Sequence, residues 1–330
     1  MRAAVLAEGG AFDVTTVEDP VARAGELLLQ VSGCGLCGSD LKARPAMPAG
    51  VILGHEFGGR VVGVGPGRGT DGWSEGMQAA VLPVASCGSC PSCMSGDVVH
   101  CASAVLYGLG GSPGGFAELI AVPAASSFAV PPPIDPLHAA LVEPYAVGLH
   151  TVAAARIEPG DAVLVVGAGT VGLTSTTWAR LRGAGRVTIV DPNDARRAGA
   201  EAFGASDALA DAAAAEPGAY DVAIECVGKP GLLNACIAAI RAKGRVVIAG
   251  VCTEQDPFWS MAALMKELSI HFAVYYTPDE FRTVIEAFVS GAITPGQLVG
   301  STIGLGSLDE AFDLLAASST QGKILIDPSL

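Results

Sequence analysis

Along roughly the first 140 residues, apolar positions gather into short runs such as 27–31, 59–64 and 79–82. Gly and Pro interrupt them every 8–12 residues or so, the punctuation of a small β barrel or sandwich. Pro131-Pro132-Pro133 then forms a stiff, extended spacer. From about Tyr145 to His271 the texture changes, and apolar runs alternate with Ala-rich stretches of helical character, as βαβ units do. The pattern predicts strands at 163–166, 187–190, 222–226 and 245–249. The tail from Phe272 returns to mixed texture, with a helix expected over 278–290 and a closing strand over 323–327. No internal repeat is visible.

Composition narrows the class. At 330 residues the chain is long enough for two domains and a large core. Half of it is hydrophobic by type but only 5% is aromatic, so the apolar mass is aliphatic and suits parallel strands covered by helices. Gly, at 43 of 330 residues, is well above the average usage of about 7% and implies many tight turns or close backbone approaches. The net charge of −14 argues against nucleic acid and against anionic membrane surfaces as partners. No apolar run reaches the ~18 residues of a membrane span, and residues 1–8 are too short a stretch for a secretory signal. The expectation is a cytoplasmic globular protein with a small-molecule partner.

The cysteines sharpen that picture. Nine in a chain without an export signal make a disulfide framework improbable. Four of them, Cys87, Cys90, Cys93 and Cys101, follow C-x2-C-x2-C-x7-C with Gly, Pro and Ser between them. Four thiolates at that spacing match a closed tetrahedral zinc site, which has no position left for chemistry and is therefore structural. Buried or fortuitous thiols are the alternative. His100 would overfill the site and is left out of it.

A second chemistry sits where the texture turns to βαβ. The run 161–166 leads into Gly167-Ala-Gly169-Thr170-Val171-Gly172, a strand followed by G-x-G-x-x-G and a helix. Gly167 makes the tight turn, Gly169 admits a pyrophosphate, Gly172 allows close helix–strand packing, and the phosphates meet the helix N-terminus. The next strand ends at Asp191, nineteen residues after Gly172, where an acid accepts from the adenosine ribose hydroxyls and repels a 2′-phosphate. That favours NAD over NADP. Arg196 and Arg197 are placed to flank the adenine or to accommodate a phosphate, with surface solvation as the alternative. A structural glycine turn with a capping Asp is the competing reading of the whole motif.

Three further pieces lie outside the cysteine lobe: Cys34-Gly-Leu-Cys37-Gly-Ser39-Asp40, Gly54-His55-Glu56, and Glu143-Pro144. Together they supply thiolate, imidazole and carboxylate, a ligand set that leaves a fourth position for substrate. With Gly114-Gly-Phe-Ala-Glu118, the four-cysteine lobe and the glycine motif, these pieces recur in one order across most of the chain. The chain resembles the zinc-dependent medium-chain alcohol dehydrogenases, in the branch of sorbitol and threonine dehydrogenases.

The resemblance implies a β-rich GroES-like catalytic domain over 1–144 and 273–330, with the zinc lobe at 87–101, and an α/β Rossmann coenzyme domain over 145–272. It implies a catalytic and a structural Zn2+ per chain, with Cys37 rather than Cys34 as first catalytic ligand and His55 as second. Glu143 is the favoured third ligand, with Glu56 as its rival or as a group behind it. The implied reaction is Lewis-acid polarisation of an alcohol oxygen by zinc, hydride transfer to the nicotinamide, and proton removal through Ser39. Relatives associate through the Rossmann sheet edge, here expected at 245–251, as homodimers or homotetramers.

Several features depart from the family pattern. Lys42 stands where many relatives carry a His ending the proton relay, and the segment between Cys37 and His55 is short. Phe272-Ala273-Val274 replaces a Phe-Arg-Tyr stretch that contacts polyol hydroxyls in sorbitol-type enzymes, which favours a less polar secondary alcohol. Tyr107, Tyr145, Val251 and Tyr275 are candidate pocket walls, with core packing as the alternative for each. Two other functions remain to be weighed: a zinc-free quinone or enoyl reductase of the same superfamily, and a non-catalytic NAD-binding sensor.

Overall fold

The structure is a computed structural model and describes residues 1–67, 69–317 and 322–330. The chain divides into two units, Met1–Glu143 with Thr277–Leu330, and Pro144–Tyr276.

The first unit is built on a seven-stranded sheet. Its main path runs Val299–Ile303, Lys323–Ile326, Glu26–Gly35, Glu56–Val64, Gln78–Val81 and Ser127–Ala129, and Leu119–Pro123 also pairs with Glu26–Gly35. All pairs are antiparallel except Val299–Ile303 with Lys323–Ile326. Alternating side chains of Glu26–Gly35 send Leu27, Leu29 and Val31 into a core with Val61, Val81, Phe116 and Phe312. The last strand pairs Leu325 with Gly35 and Ile326 with Cys34, so the end of the chain lies beside the Cys34–Cys37 segment. That long-range pairing builds the floor of the candidate site.

The second unit holds six parallel strands in the order Asp207–Leu209, Arg186–Val190, Ala162–Val166, Tyr220–Glu225, Ile240–Ile248 and Ser269–Phe272. By chain order this is 3-2-1-4-5-6, the doubly wound dinucleotide-binding arrangement. Val163, Leu164 and Val165 are fully buried, as expected of a central strand covered on both faces. Lys266 closes the helix Leu232–Ala239 by donating to the carbonyls of Ile237, Ala238 and Ile240 at 2.8, 2.9 and 2.7 Å.

The expected sheet edge at 245–251 is corrected. Ile240–Ile248 is an interior strand, and Ser269–Phe272 pairs along its far side to form the edge. Ser-Ile-His-Phe is too short and too polar to stand out as a strand, so the sequence pattern places the edge one strand too early. No helix among the described residues is long and apolar enough to cross a membrane.

Candidate active site

Asp40 organises the first unit's site and is wholly buried. One carboxylate oxygen accepts the Cys37 backbone N–H at 2.9 Å, at the start of the helix Gly38–Ala43. The other accepts from His55 Nδ1, also at 2.9 Å. An ionised carboxylate only accepts, so a proton resides on Nδ1, and Nε2 is the ring nitrogen that faces the site. Ser39 Oγ lies 3.2 Å from that Nε2. Burial pulls the ring's pKa down, but Asp40 and Cys37 outweigh it and hold His55 well above its ordinary value.

Cys37, His55 and Glu56 each present a donor atom, all within 4.8 Å of one another. This is a thiolate–imidazole–carboxylate set with room for a fourth ligand. Glu56 Oε2 is buried without a hydrogen-bond partner and carries negative charge toward the trio, balanced on this side chain by the Lys323 ammonium at 2.7 Å. The donor chemistry therefore fits zinc. Glu143 is buried in the first turn of the helix Val142–Ala155 and is not part of this trio. Cys34 also stays outside it, with its thiol pKa pushed well up by burial and by the charges of Asp40 and Glu56.

Lys323 belongs to no motif in the sequence. It is 1% exposed, and its Nζ lies 2.7 Å from the Glu56 carboxylate, donating to Oε1. Oε2 sits at the same ion-pair distance but outside hydrogen-bond geometry. Nζ also donates to the Leu36 carbonyl at 3.0 Å. Burial depresses the ammonium's pKa, yet the negative groups Glu56, Cys37 and Glu143 more than offset that and leave it raised. The signal available in the sequence is a single lysine opening an otherwise apolar strand, since lysine is almost never buried without a partner.

The four lobe cysteines form a second donor cluster, again with all ligand atoms within 4.8 Å. Cys87 Sγ is 3.9 Å and Cys90 Sγ 3.5 Å from Cys93 Sγ. The backbone N–H groups of Cys87 and Ser103 donate to Cys101 Sγ at 3.4 Å. Hydrogen bonds from the Ser89 and Cys90 backbone and the Ser89 hydroxyl bring the Cys87 thiol down to about 6, which favours a thiolate ligand. His100 is engaged with Asp97 at 2.7 Å.

In the second unit, Gly167 has φ +104°, a conformation costly for any residue with a Cβ. A Cβ at Gly172 would lie 1.7 Å from the Gly167 carbonyl oxygen, whereas one at Gly169 would meet nothing within 4 Å. The loop is thus closed on the protein side and open on its outer side, at the N-terminus of the helix Thr170–Leu181 that Thr170 and Val171 begin. Such a cradle fits a pyrophosphate. Asp191 is buried, with Oδ2 accepting from the Ala168 N–H and Oδ1 from the Asn193 N–H, both at 2.9 Å. The Arg196 guanidinium is 3.9 Å from that carboxylate. Arg197 donates to the Asp191 carbonyl at 2.6 Å and to Asp194. Glu225, another residue outside every sequence motif, fixes the loop after its strand by accepting from the Val227 and Gly228 N–H groups at 2.7 and 2.9 Å.

Comparison with known proteins gives the same grouping. Residues 23–132 match the alcohol dehydrogenase GroES-like domain and residues 170–290 match the zinc-binding dehydrogenase family. The chain is 32% identical to L-galactonate-5-dehydrogenase of Escherichia coli, over 90% of this chain and 89% of that protein. It is 27% identical to sorbitol dehydrogenase of Bacillus subtilis, over 95% and 93% of the two chains. A crystal structure of a protein named only as a zinc-binding dehydrogenase, from Sinorhizobium meliloti 1021 and bound to NADP, superposes with a TM-score of 0.91. It is 31% identical and covers 99% of each chain. The chain belongs to the zinc-dependent medium-chain alcohol dehydrogenases, oxidoreductases acting on CH–OH groups, with a GroES-like catalytic domain and a Rossmann-like NAD-binding domain.

Proposed function

We propose that this chain is an NAD-dependent dehydrogenase of secondary alcohols or polyols, working in either direction between alcohol and ketone. The observation that carries the reading is the convergence of donor atoms of Cys37, His55 and Glu56 within 4.8 Å of one another. In this reading those three residues hold the catalytic zinc, and Cys87, Cys90, Cys93 and Cys101 hold the structural zinc. Glu143, which the resemblance put first, is left as a nearby anion whose charge reaches Lys323.

When bound, zinc supplies Lewis-acid polarisation of an alcohol oxygen and the dinucleotide supplies the hydride-accepting nicotinamide. The protein's own residues do the rest. Asp40 fixes the His55 tautomer and the turn bearing Cys37, so the donor set is organised before any ligand arrives. The Ser39 hydroxyl is the group placed to accept the substrate's proton and pass it outward. The glycine loop and the helix N-terminus bind the pyrophosphate. NAD is favoured over NADP because Asp191 puts a buried negative charge at the end of its strand. Of the two arginines that could accommodate a 2′-phosphate, Arg197 is committed to the Asp191 carbonyl and Asp194, and Arg196 faces the Asp191 carboxylate at 3.9 Å.

Two copies of the chain associate, in this reading, through the open edge of Ser269–Phe272. Phe272 is 69% exposed there, and Trp259, Leu264 and Met265 in the segment before that strand are 70, 69 and 75% exposed. The compartment proposed is the cytoplasm, where thiols at zinc-ligand spacing stay reduced. The reading is tested by nicotinamide absorbance with NAD and NADP against secondary alcohols, polyols, sugar acids and β-hydroxy amino acids. NAD-linked turnover of one chemical group supports it; preference for NADP overturns the Asp191 reasoning. Silence across the panel from protein carrying zinc favours a binding role.

A further inference from the structure

Glu225 ends the strand Tyr220–Glu225, is 3% exposed, and takes part in no step of the reaction described above. It pairs with Val166, the last residue of Ala162–Val166. Those two strands are the neighbours at which the order 3-2-1-4-5-6 reverses. A dinucleotide lies across the carboxyl ends of the strands at such a switch point. With the glycine loop as the pyrophosphate seat and Asp191 as the adenosine seat, the nicotinamide half falls to the other side, over the loops that follow Tyr220–Glu225 and Ile240–Ile248. Glu225 ties those two loops together. Its Oε1 accepts from the Val227 and Gly228 N–H groups at 2.7 and 2.9 Å, and its main-chain carbonyl accepts from Ala249 and Gly250 at 2.8 and 2.9 Å. The fit is close: a Cβ at Gly250 would lie 2.4 Å from Glu225 Oε2 and 2.2 Å from the Gly228 nitrogen. One at Gly228 would lie 2.3 Å from the Val251 carbonyl oxygen, and one at Gly167 would lie 2.7 Å from Val227 Cγ2. The 226–228 loop therefore backs onto both the glycine motif and residues 250–251. An apolar side chain at 225 would fill the space at lower solvation cost, but it would leave the Val227 and Gly228 N–H groups without this acceptor.

We propose that Glu225 is a positioning residue for the nicotinamide half of the cofactor, holding residues 226–228 against 249–251 so that the two loops form the seat of the ring. This role presupposes the reading of the chain as an NAD-dependent dehydrogenase. The carboxylate is buried beneath the loops and acts through their backbone rather than on the cofactor itself. The adenosine seat at Asp191 belongs to a different strand and is held by its own contacts with Ala168 and Asn193. Loss of the Glu225 brace therefore loosens one half of the cofactor and spares the other.

The test measures binding of NADH and of ADP-ribose, which has the same adenosine diphosphate but no nicotinamide, to the full-length protein. Calorimetry reads both affinities, and the fluorescence of bound NADH reads the surroundings of the ring. Glu225→Leu is expected to weaken NADH binding by about tenfold, on the scale of leaving buried N–H groups without an acceptor. ADP-ribose binding is expected to stay unchanged, and the emission of bound NADH to move toward that of free NADH. Glu225→Gln keeps an oxygen that accepts both N–H groups and is expected to restore the parent's affinity and emission. Should Glu225→Leu fold poorly, Gly250→Ala is the second variant. Its methyl group displaces residues 226–228 while Glu225 stays in place, and the same selective loss of NADH is expected. Equal losses for NADH and ADP-ribose would overturn the proposal, as would failure of Glu225→Gln to restore selectivity or a parent protein that binds NADH no more tightly than ADP-ribose. If the parent binds neither molecule, the NAD reading fails and takes this inference with it. If the parent prefers NADH and the variants keep that preference, only the inference fails.

Discussion

At the residue scale, the site depends on a few short contacts that differ in how visible they are from sequence. The lobe cysteines stand out because four thiols at such short spacing rarely serve anything but a metal, whereas Cys37 and His55 stand out only in combination with the other pieces that carry the family resemblance. Asp40 and Lys323 do not stand out. Asp40 looks like one more polar residue at a helix start, and its partner His55 lies fifteen positions away. Lys323 meets Glu56 across 267 positions, a distance that no local spacing reveals. The choice between Glu56 and Glu143 stays open in the sequence for the same reason, since each carboxylate's proximity to Cys37 is a tertiary fact. Ser39 gives the sharpest test at this scale. Its hydroxyl is 3.2 Å from His55 Nε2, so Ser39→Ala is expected to lower kcat by about 10²-fold, the lower end of general acid–base effects, with NAD affinity little changed. Steady-state kinetics and NAD titration check it, and unchanged turnover would remove Ser39 from proton transfer.

At the element scale, the parallel strands are easy to read because buried aliphatic runs bounded by turn residues have few other uses. Ser269–Phe272 escapes the pattern because its four residues carry no alternation to detect and are placed only by the register Ile248 to Phe272. The sheet also carries a charge device that sequence does not disclose. Asp221 at the head of Tyr220–Glu225 accepts from the Ala162 N–H at 2.7 Å and from Arg241 Nε at 2.6 Å. Partial burial tends to raise its pKa, but the Ala162 hydrogen bond and the Arg241 and Arg245 charges prevail and lower it. A carboxyl with a lowered folded-state pKa stabilises the fold above the unfolded value of about 3.9 and loses that contribution as pH falls through the folded value. Asp221→Asn is therefore expected to cost about 1 kcal/mol at neutral pH. The gap from the parent protein should close in acid below the ordinary Asp pKa. Urea denaturation at a series of pH values checks this; a gap that persists unchanged in acid would contradict it.

At the scale of the whole molecule, the change of texture near Tyr145 and its reversal near Phe272 are legible in composition and period, whereas the exposed edge emerges only from the structure. If that edge joins two copies, Phe272→Asp is expected to convert the assembly to monomers, since a charge facing its own copy is repelled and desolvated. Light scattering after size exclusion reads the mass, and an unchanged assembly would place the interface elsewhere. The central claim is that Cys37, His55 and Glu56 hold a metal that the reaction needs, separate from the metal in the cysteine lobe. The most direct measurement is zinc content and NAD-linked turnover determined together on His55→Ala. The expected result is the loss of one zinc per chain along with turnover, with the lobe zinc retained. Full zinc content with normal turnover would contradict the account.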